Sequence, residues 1–220
     1  MAKVGVILSG CGVYDGSEIH ETVITLLALD RAGAEIVMMA PDIEQGVVNH
    51  LTGEQEEGAT RNVLVESARI ARGNVSNIAD ISAAELDALM IPGGFGVAKN
   101  LCDFAFKGPD CSVNPEVARL VREIVAAKKP LAAVFIAPAL VAKVLGADNL
   151  DPKLTIGTDE GTAGAVASMG ATHISCPVEE FVIDAENKII TSPAYMLAGR
   201  ISEAAEGIEK TVQALMEMLA

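Results

Sequence analysis

The chain has 220 residues, of which 50% are hydrophobic and 21% charged, so it is long and apolar enough to bury the core of one α/β domain. Its net charge of −14 repels phosphate backbones and anionic lipid headgroups, so we expect neither a nucleic-acid partner nor a membrane partner. Tryptophan is absent and aromatic residues make up only 3%, which argues against stacking platforms for single-stranded nucleic acid.

The first part of the chain alternates between strand and helix patterns. An apolar run over 3–9 predicts a strand buried on both faces, and the glycine-rich loop GCGVYDG follows at 10–16. Asp15 or Ser17 is predicted to cap a helix that runs to about Ala32, with Gly33 as its stop. The next strand is predicted over 35–40. Residues 42–60 have little periodicity and are interpreted as an excursion from the sheet.

The rest of the chain continues this alternation. Helices are predicted over 62–72, from an Asn114 cap through Lys129, over 138–145, and over a closing segment whose apolar positions repeat from Ile201 to Leu219. A capping box is predicted at 82–85. Strands are predicted over 88–91, 131–136, 172–175, 181–183 and 189–192, the last two paired. The interleaving predicts a doubly wound, mostly parallel sheet in a three-layer α/β/α sandwich, one domain over 1–220.

In such a sheet, sites form outside the carboxyl ends of the strands. Gly93 and Gly94 follow a buried strand, and adjacent glycines leave backbone N–H groups free to face a ligand, although an ordinary tight turn fits equally well. The junction between the 131–136 strand and Pro138 has the shape of a nucleophile elbow with Phe135 at its tip. If the backbone there is left-handed, the bulky Phe costs about 1–2 kcal/mol.

Two carboxylates lie at the start of the first predicted helix. Glu18 and Glu21 are three positions apart and can face the same side of its first turn, which fits either a buried general base or two solvated helix-start acids. His20 and Glu21 begin an H-E-x-x-H pattern, but Ile24 breaks it. The four cysteines have no metal-ligand spacing and form no dense disulfide framework, so we expect no metal, no other cofactor and a reducing cytoplasm.

Three stretches resemble the ElbB family: LSGCGVYDGSEIHE at 8–21, PGGFGVAKNL at 92–101 and NKIITSPAYM at 187–196. The resemblance covers essentially the whole chain. ElbB proteins belong to the PfpI-like, class I glutamine amidotransferase-like superfamily, so the resemblance implies a flavodoxin-like sheet and a cytoplasmic homodimer. It also implies a glyoxalase that converts glyoxal and water into glycolate without glutathione, in a family linked by name to isoprenoid biosynthesis.

The resemblance further implies which residues form the site. In the family mechanism an elbow cysteine adds to the aldehyde, a glutamate of the first helix carries the proton, and backbone N–H groups hold the oxyanion. The glutamate maps to Glu21, the oxyanion turn to Gly93 and Gly94, and a second N–H donor to Ile136. The cysteine maps to Phe135 and is absent. Because a phenyl ring is neither nucleophile nor leaving group, the sequence predicts that the activity toward a small aldehyde is lost or much reduced. The pocket would then serve small-molecule binding or a scaffold role.

Two alternatives stay open from the sequence. In the first, Cys11 at the neighbouring strand end replaces the missing thiol and acts with Glu21, which requires a polar environment that lowers its pKa. In the second, the glycines at 10–16 bind a nucleotide with Asp42 as the ribose acid, although the third glycine of the fingerprint is one place late.

Overall fold

The computed structural model of the chain describes residues 1–219. Its strands are β1 (Lys3–Ile7), β2 (Glu35–Ala40), β3 (Glu44–Val48), β4 (Gln55–Asn62), β5 (Ser76–Asn77), β6 (Ala88–Ile91), β7 (Leu131–Val134), β8 (Lys153–Leu154), β9 (Thr172–His173), β10 (Val182–Asp184) and β11 (Ile189–Ser192). Its α-helices are α1 (Ile19–Arg31), α2 (Val63–Ala71), α3 (Phe104–Lys107), α4 (Pro115–Ala126), α5 (Ala137–Ala147), α6 (Glu160–Ser168) and α7 (Ile201–Glu217). A π-helical turn spans Val97–Leu101, and short 3-10 turns include Ala83–Glu85 and Ala194–Met196.

Seven strands form one sheet in the order β10-β11-β7-β6-β1-β2-β5. All neighbours in it are parallel except β10 and β11. The central strand is β6, and its neighbour β1 pairs on both sides, where Gly5 stands opposite Val37 of β2 and Leu89 of β6. A parallel strand that is buried on both faces needs a continuous apolar run, which explains why β6 has the predicted bounds. The bounds of β2 also agree with the prediction, although only Met39 and Ala40 in this strand are fully buried.

Helices cover both faces of this sheet, and the predicted fold class is confirmed. Helices α1 and α7 pack against each other, as do α4 and α5, and α4, α5 and α7 all contact β7. The core between these layers is aliphatic, and its largest fully buried side chains are Ile, Leu and Met. Within residues 1–219, no helix combines the length and the apolar character that crossing a bilayer requires.

The cap of α1 differs from the prediction. Neither Asp15 nor Ser17 caps the helix, because tertiary contacts engage both: Ser17 Oγ accepts a hydrogen bond from the Ser9 amide at 2.8 Å, and the Asp15 carboxylate accepts one from the Val48 amide at 2.8 Å. Glu18 is the cap instead, and its Oε2 accepts from the Glu21 amide at 2.7 Å. The capping box at 82–85 and the Asn114 cap are confirmed.

The excursion over 42–60 leaves the main sheet as predicted, but it is ordered as the antiparallel hairpin β3–β4. Strand β4 is polar and has no buried residue, and β3 is buried at Gln45, Val47 and Val48 but begins with polar residues, so no sustained apolar alternation marks the hairpin in the sequence. The predicted strand at 172–175 shortens to β9, which pairs with β8 outside the main sheet. The sequence prediction missed α6. Asp159 caps the N-terminus of this helix, and its Oδ2 accepts a hydrogen bond from the Thr162 amide at 2.7 Å.

Gly146 lies where α5 meets the turn after α6. A Cβ at this position would overlap the backbone carbonyl oxygen of Met169, and the next nearest atoms are also backbone, so no flexible side chain can move aside. Overpacking costs about 1–3 kcal/mol. We therefore expect Gly146→Ala to lower the free energy of unfolding by about 3 kcal/mol, measured by urea denaturation.

Gly164 provides a matched control inside α6, because open space surrounds the position its Cβ would take. Gly164→Ala is expected to raise the free energy of unfolding by about 0.5–1 kcal/mol, since alanine is the better helix former. Equal effects of the two substitutions would contradict a tight contact between Gly146 and Met169.

Candidate functional site

The turn between β7 and α5 has the backbone geometry of a nucleophile elbow. Phe135 has φ +61°, in the left-handed region, where a bulky side chain costs about 1–2 kcal/mol, as expected for an elbow. The strand ends at Val134, two residues earlier than predicted, because the chain turns at Phe135 and Ile136 to begin α5. The Phe135 amide donates to the carbonyl oxygen of Ser192 at 3.2 Å, which ties the elbow to the end of β11.

Glu21 lies fully buried on the first turn of α1. Its Oε2 accepts a hydrogen bond from the Gly93 amide at 3.0 Å, and its Oε1 accepts one from the Tyr195 amide at 3.0 Å. A Cβ on Gly93 would collide both with Glu21 Oε2 and with Phe135 Cβ, so all three residues meet at one point. The structure therefore brings the predicted proton carrier next to the predicted nucleophile position.

The environment of Glu21 changes its protonation. Burial, with a smaller contribution from the nearby Glu18 carboxylate, raises the pKa of its carboxyl to about 8, although the two amide hydrogen bonds act in the opposite direction. The ordinary value is 4.5, so at neutral pH the folded protein holds Glu21 mainly as the neutral acid. A neutral carboxylic acid can donate a hydrogen bond or a proton to a ligand oxygen.

The predicted oxyanion donors have different roles. The Gly93 amide is committed to Glu21 and so serves to position that carboxyl. Among the described residues 1–219, the Gly94 and Ile136 amides donate to no protein acceptor. Gly94 has φ +108°, and a Cβ there would strike the Glu18 backbone nitrogen, so only glycine fits this turn. Gly94 and Ile136 are thus the two N–H donors left for a ligand.

A cavity of about 290 Å³ opens beside the elbow. It is lined by Phe95, Ala98, Phe104, Ala105, Phe135, Ile136, Thr162, Tyr195 and Met196. The Phe135 ring is 6% exposed and packs edge-on against Phe95, with ring centroids 5.8 Å apart. The cavity is mostly apolar with a few polar groups at its edge, which is typical of sites for small organic molecules.

Tyr195 is the site residue that sequence reasoning missed. Its amide holds Glu21, and its hydroxyl is hydrogen-bonded to His20 Nδ1 at 2.8 Å. The preceding residue, Ala194, has φ +45°, and this strained backbone conformation directs the Tyr195 amide toward Glu21. Burial and the carboxyls of Glu18 and Glu21 raise the pKa of the Tyr195 phenol, so it stays a hydrogen-bond donor. The only signal in the sequence was its place in the NKIITSPAYM block.

Cys11 lies in a different environment. Burial raises the pKa of its thiol, and the charged groups that act on it are Glu66, Arg69, Asp15 and Arg61, without Glu21. These residues belong to the glycine loop, the β3–β4 hairpin and α2. A raised pKa leaves the thiol protonated and weakly nucleophilic, so the geometry argues against Cys11 as a replacement for the elbow cysteine.

The glycine loop is also unsuited to a nucleotide phosphate. Side chains of the β3–β4 region cover it: a Cβ on Gly10 would meet Gln45, and one on Gly12 would meet His50. The carboxylate of Glu18 occupies the N-terminus of α1, where a phosphate would bind. Asp42 is engaged as well, because its Oδ1 accepts from Asn62 Nδ2 at 2.7 Å. These contacts argue against the dinucleotide interpretation.

Over residues 1–219, no group of three or more His, Cys, Asp or Glu side chains is arranged to hold a metal ion. The groups that the chain itself provides at the elbow are one neutral carboxyl, two backbone N–H donors and an apolar cavity.

No protein-family model matches the chain, but named proteins match it over nearly its whole length. The rat ES1 protein homolog, mitochondrial, is 45% identical over 227 residues, covering 99% of this chain and 84% of the relative. The human glutamine amidotransferase-like class 1 domain-containing protein 3, mitochondrial, is 44% identical, covering 99% of this chain and 83% of the relative.

Solved structures show the same fold. The crystal structure of an isoprenoid biosynthesis protein with an amidotransferase-like domain from Ehrlichia chaffeensis superimposes with a TM-score of 0.93 at 41% identity, covering 100% of both chains. Glyoxalase III from Candida albicans superimposes with a TM-score of 0.66 at 16% identity, covering 98% of this chain and 96% of the other, which supports the fold alone.

The expected cytoplasmic localisation is wrong by this comparison, because the rat and human relatives are both named as mitochondrial proteins. The prediction rested on the cysteine pattern and on the ElbB resemblance. Unpaired cysteines indicate a reducing environment, but they do not indicate which reducing compartment of the cell holds the protein.

Proposed function

This chain belongs to the class I glutamine amidotransferase-like superfamily, and we propose that its elbow cavity binds a small carbonyl compound without forming the covalent intermediate of a glyoxalase. The observation that carries the proposal is Phe135 at the elbow, where a thiol would stand next to Glu21. Its ring occupies one wall of the cavity.

Covalent catalysis on an aldehyde needs an atom that attacks the carbonyl carbon and later leaves it. A cysteine thiolate does both, whereas the Phe135 ring does neither. The Cys11 thiol has a raised pKa and other charged neighbours, and Cys176 is buried with a pKa raised to about 11, so neither replaces it. Cys102 and Cys111 do not line the elbow cavity. We therefore propose no cysteine-dependent reaction at this site, on glyoxal or on an amide.

The other parts of the site suit noncovalent binding. A carbonyl oxygen can accept hydrogen bonds from the Gly94 and Ile136 amides, as an oxyanion would. The neutral Glu21 carboxyl is fully buried behind the elbow and holds the Gly93 and Tyr195 amides in place. The aromatic rings of Phe95 and Phe135 supply an apolar wall. These features favour a small, uncharged carbonyl compound.

Comparison with relatives is consistent with this reading. The Ehrlichia chaffeensis protein is named for isoprenoid biosynthesis and an amidotransferase-like domain, and the Candida albicans protein with the same fold is a glyoxalase. We propose that this chain shares the small-molecule site of the superfamily and has lost the covalent step, including the ElbB-type conversion of glyoxal.

Binding can be tested with hydroxyacetone, a small ketone that lacks the reactive aldehyde groups of glyoxal. In a titration followed by ¹H–¹⁵N NMR, we expect the Gly94 and Ile136 amide resonances to shift saturably. In parallel, the wild-type protein is expected to consume glyoxal no faster than heat-inactivated protein.

Ala105→Trp is the matched control, because Ala105 is exposed and lines the cavity, so a larger side chain fills the opening without entering the core. The shifts should disappear in this variant. Shifts that persist in Ala105→Trp, no shifts in the wild type, or glyoxal turnover by the wild type would each contradict the proposal.

A further inference from the structure

Two cysteines outside the elbow lie side by side. Cys102 pairs with Val113 in an antiparallel bridge, and the adjacent Asp103 amide donates to the Ser112 carbonyl oxygen at 3.1 Å. Residues two positions apart on a strand project to the same face, so Cys111 is the diagonal neighbour of Cys102. The two thiols are close enough for each to influence the pKa of the other. Both cysteines are free thiols in this structure.

The two thiols differ in character. Hydrogen bonding from Cys102 lowers the pKa of Cys111 to about 7, helped by the positive charge of Lys143 and opposed by burial and by Asp103. The pKa of Cys102 is raised by its hydrogen bond with Cys111 and by burial. The Cys102 thiol has a second acceptor in the Val97 carbonyl oxygen, 3.2 Å away. Cys111 is therefore the more nucleophilic sulfur of the pair.

The segment that joins the two cysteines is loosely packed. Cys102 and Cys111 are only 5% and 3% exposed, but every residue from 103 to 110 is half-buried or exposed. Segments with few buried contacts open locally at little cost in free energy. Such opening admits a small oxidant to Cys111 and lets the two sulfurs adjust to the geometry of a disulfide.

We propose that Cys102 and Cys111 form a reversible dithiol–disulfide pair that reacts with hydrogen peroxide. The Cys111 thiolate attacks the peroxide, the O–O bond breaks, an S–O bond forms, and the leaving oxygen departs as water after taking up a proton. The Cys102 sulfur then attacks the Cys111 sulfur, the S–S bond forms, and the S–O bond breaks to release a second water. Two thiols are oxidised and one peroxide is reduced, and a small thiol restores the pair by exchange.

The disulfide closes a loop that includes α3. Phe104 and Ala105 of this loop line the elbow cavity, so the cysteine pair lies close to the candidate site. The pair is nevertheless a separate site, and the test below does not depend on which ligand the cavity binds.

Trypsin separates the two cysteines, because Lys107 lies between them. After treatment with hydrogen peroxide, denaturation and alkylation, we expect wild-type protein to lose two of its four alkylatable thiols. Mass spectrometry should show peptide 100–107 linked to peptide 108–119, and dithiothreitol should release both.

The single variants distinguish the two roles. In Cys102→Ser, Cys111 is expected to accumulate as a sulfenic acid that dimedone traps, whereas in Cys111→Ser the Cys102 thiol should stay unoxidised at the same peroxide concentration. Cys176→Ser is the matched control, since Cys176 is another buried cysteine, and it should still form the linked peptide. A wild-type protein without the linked peptide, whether its thiols stay intact or Cys111 is oxidised further, would overturn the proposal.

Discussion

Phe135→Cys is expected to raise glyoxal consumption at least about 100-fold above the wild-type background, since a positioned acid–base partner alone contributes about 10²–10⁴-fold once a nucleophile is present. The left-handed elbow would hold the new thiol beside Glu21 Oε2, because Phe135 Cβ already lies there. The Gly94 and Ile136 amides would receive the oxyanion that forms when the sulfur adds to the carbonyl carbon. The smaller side chain also enlarges the cavity.

Two variants show whether any gain comes from the thiol. Phe135→Ser frees almost the same space but provides a hydroxyl with no activated form, so it should stay near background. Adding Glu21→Gln to Phe135→Cys removes the proton carrier and should abolish most of the gain. The assay is loss of glyoxal and appearance of glycolate. Activity in the wild type equal to that of Phe135→Cys, or equal activity in the Ser variant, would show that the thiol is irrelevant.

Sequence reasoning predicted the fold well where a short stretch of residues is compatible with only one kind of secondary structure. The strand β6 is buried and continuously apolar, β2 is apolar from Ile36 to Ala40, and no other element of this length fits such runs between turn signals. The β3–β4 hairpin was missed because β4 is polar and has no buried residue, and because β3 has Gln45 and Gly46 where a strand pattern would need apolar residues. The hairpin exists because β3 and β4 hydrogen-bond to each other, and such pairing cannot be predicted from the residue pattern of either strand alone.

The same distinction holds in the site. Glu21 and Phe135 were located from the sequence, Glu21 from its helix turn together with the ElbB resemblance and Phe135 from the strand-to-helix junction. Tyr195 contributes through its backbone amide, which has no signature in the residue type, and it is 174 positions from Glu21. The commitment of the Gly93 amide to Glu21 likewise depends on where the helix lies. Sequence patterns indicate side-chain chemistry better than they indicate which backbone groups are already engaged.

The stability of the protein is expected to fall as pH rises from about 4.5 to about 8 because of Glu21. The folded-state pKa is about 8 against an ordinary 4.5, so between these values the unfolded chain releases a proton that the folded protein retains. The unfolded state then binds fewer protons, and the free energy of unfolding decreases with pH. At 1.36 kcal/mol per unit of pKa the loss attributable to Glu21 is about 5 kcal/mol, complete above pH 8.

Glu21→Gln isolates this contribution, because other groups titrate in the same window with the opposite sign. His173 and Cys111 both have lowered pKa values in the folded protein, so their contributions to the free energy of unfolding rise with pH. Their effects are common to both proteins and cancel in the difference between wild type and Glu21→Gln. Urea denaturation at a series of pH values should show that difference shrinking by several kcal/mol from pH 5 to pH 8. Parallel curves would mean that Glu21 is ionised in the folded protein, and the site would then hold a buried carboxylate and no neutral acid.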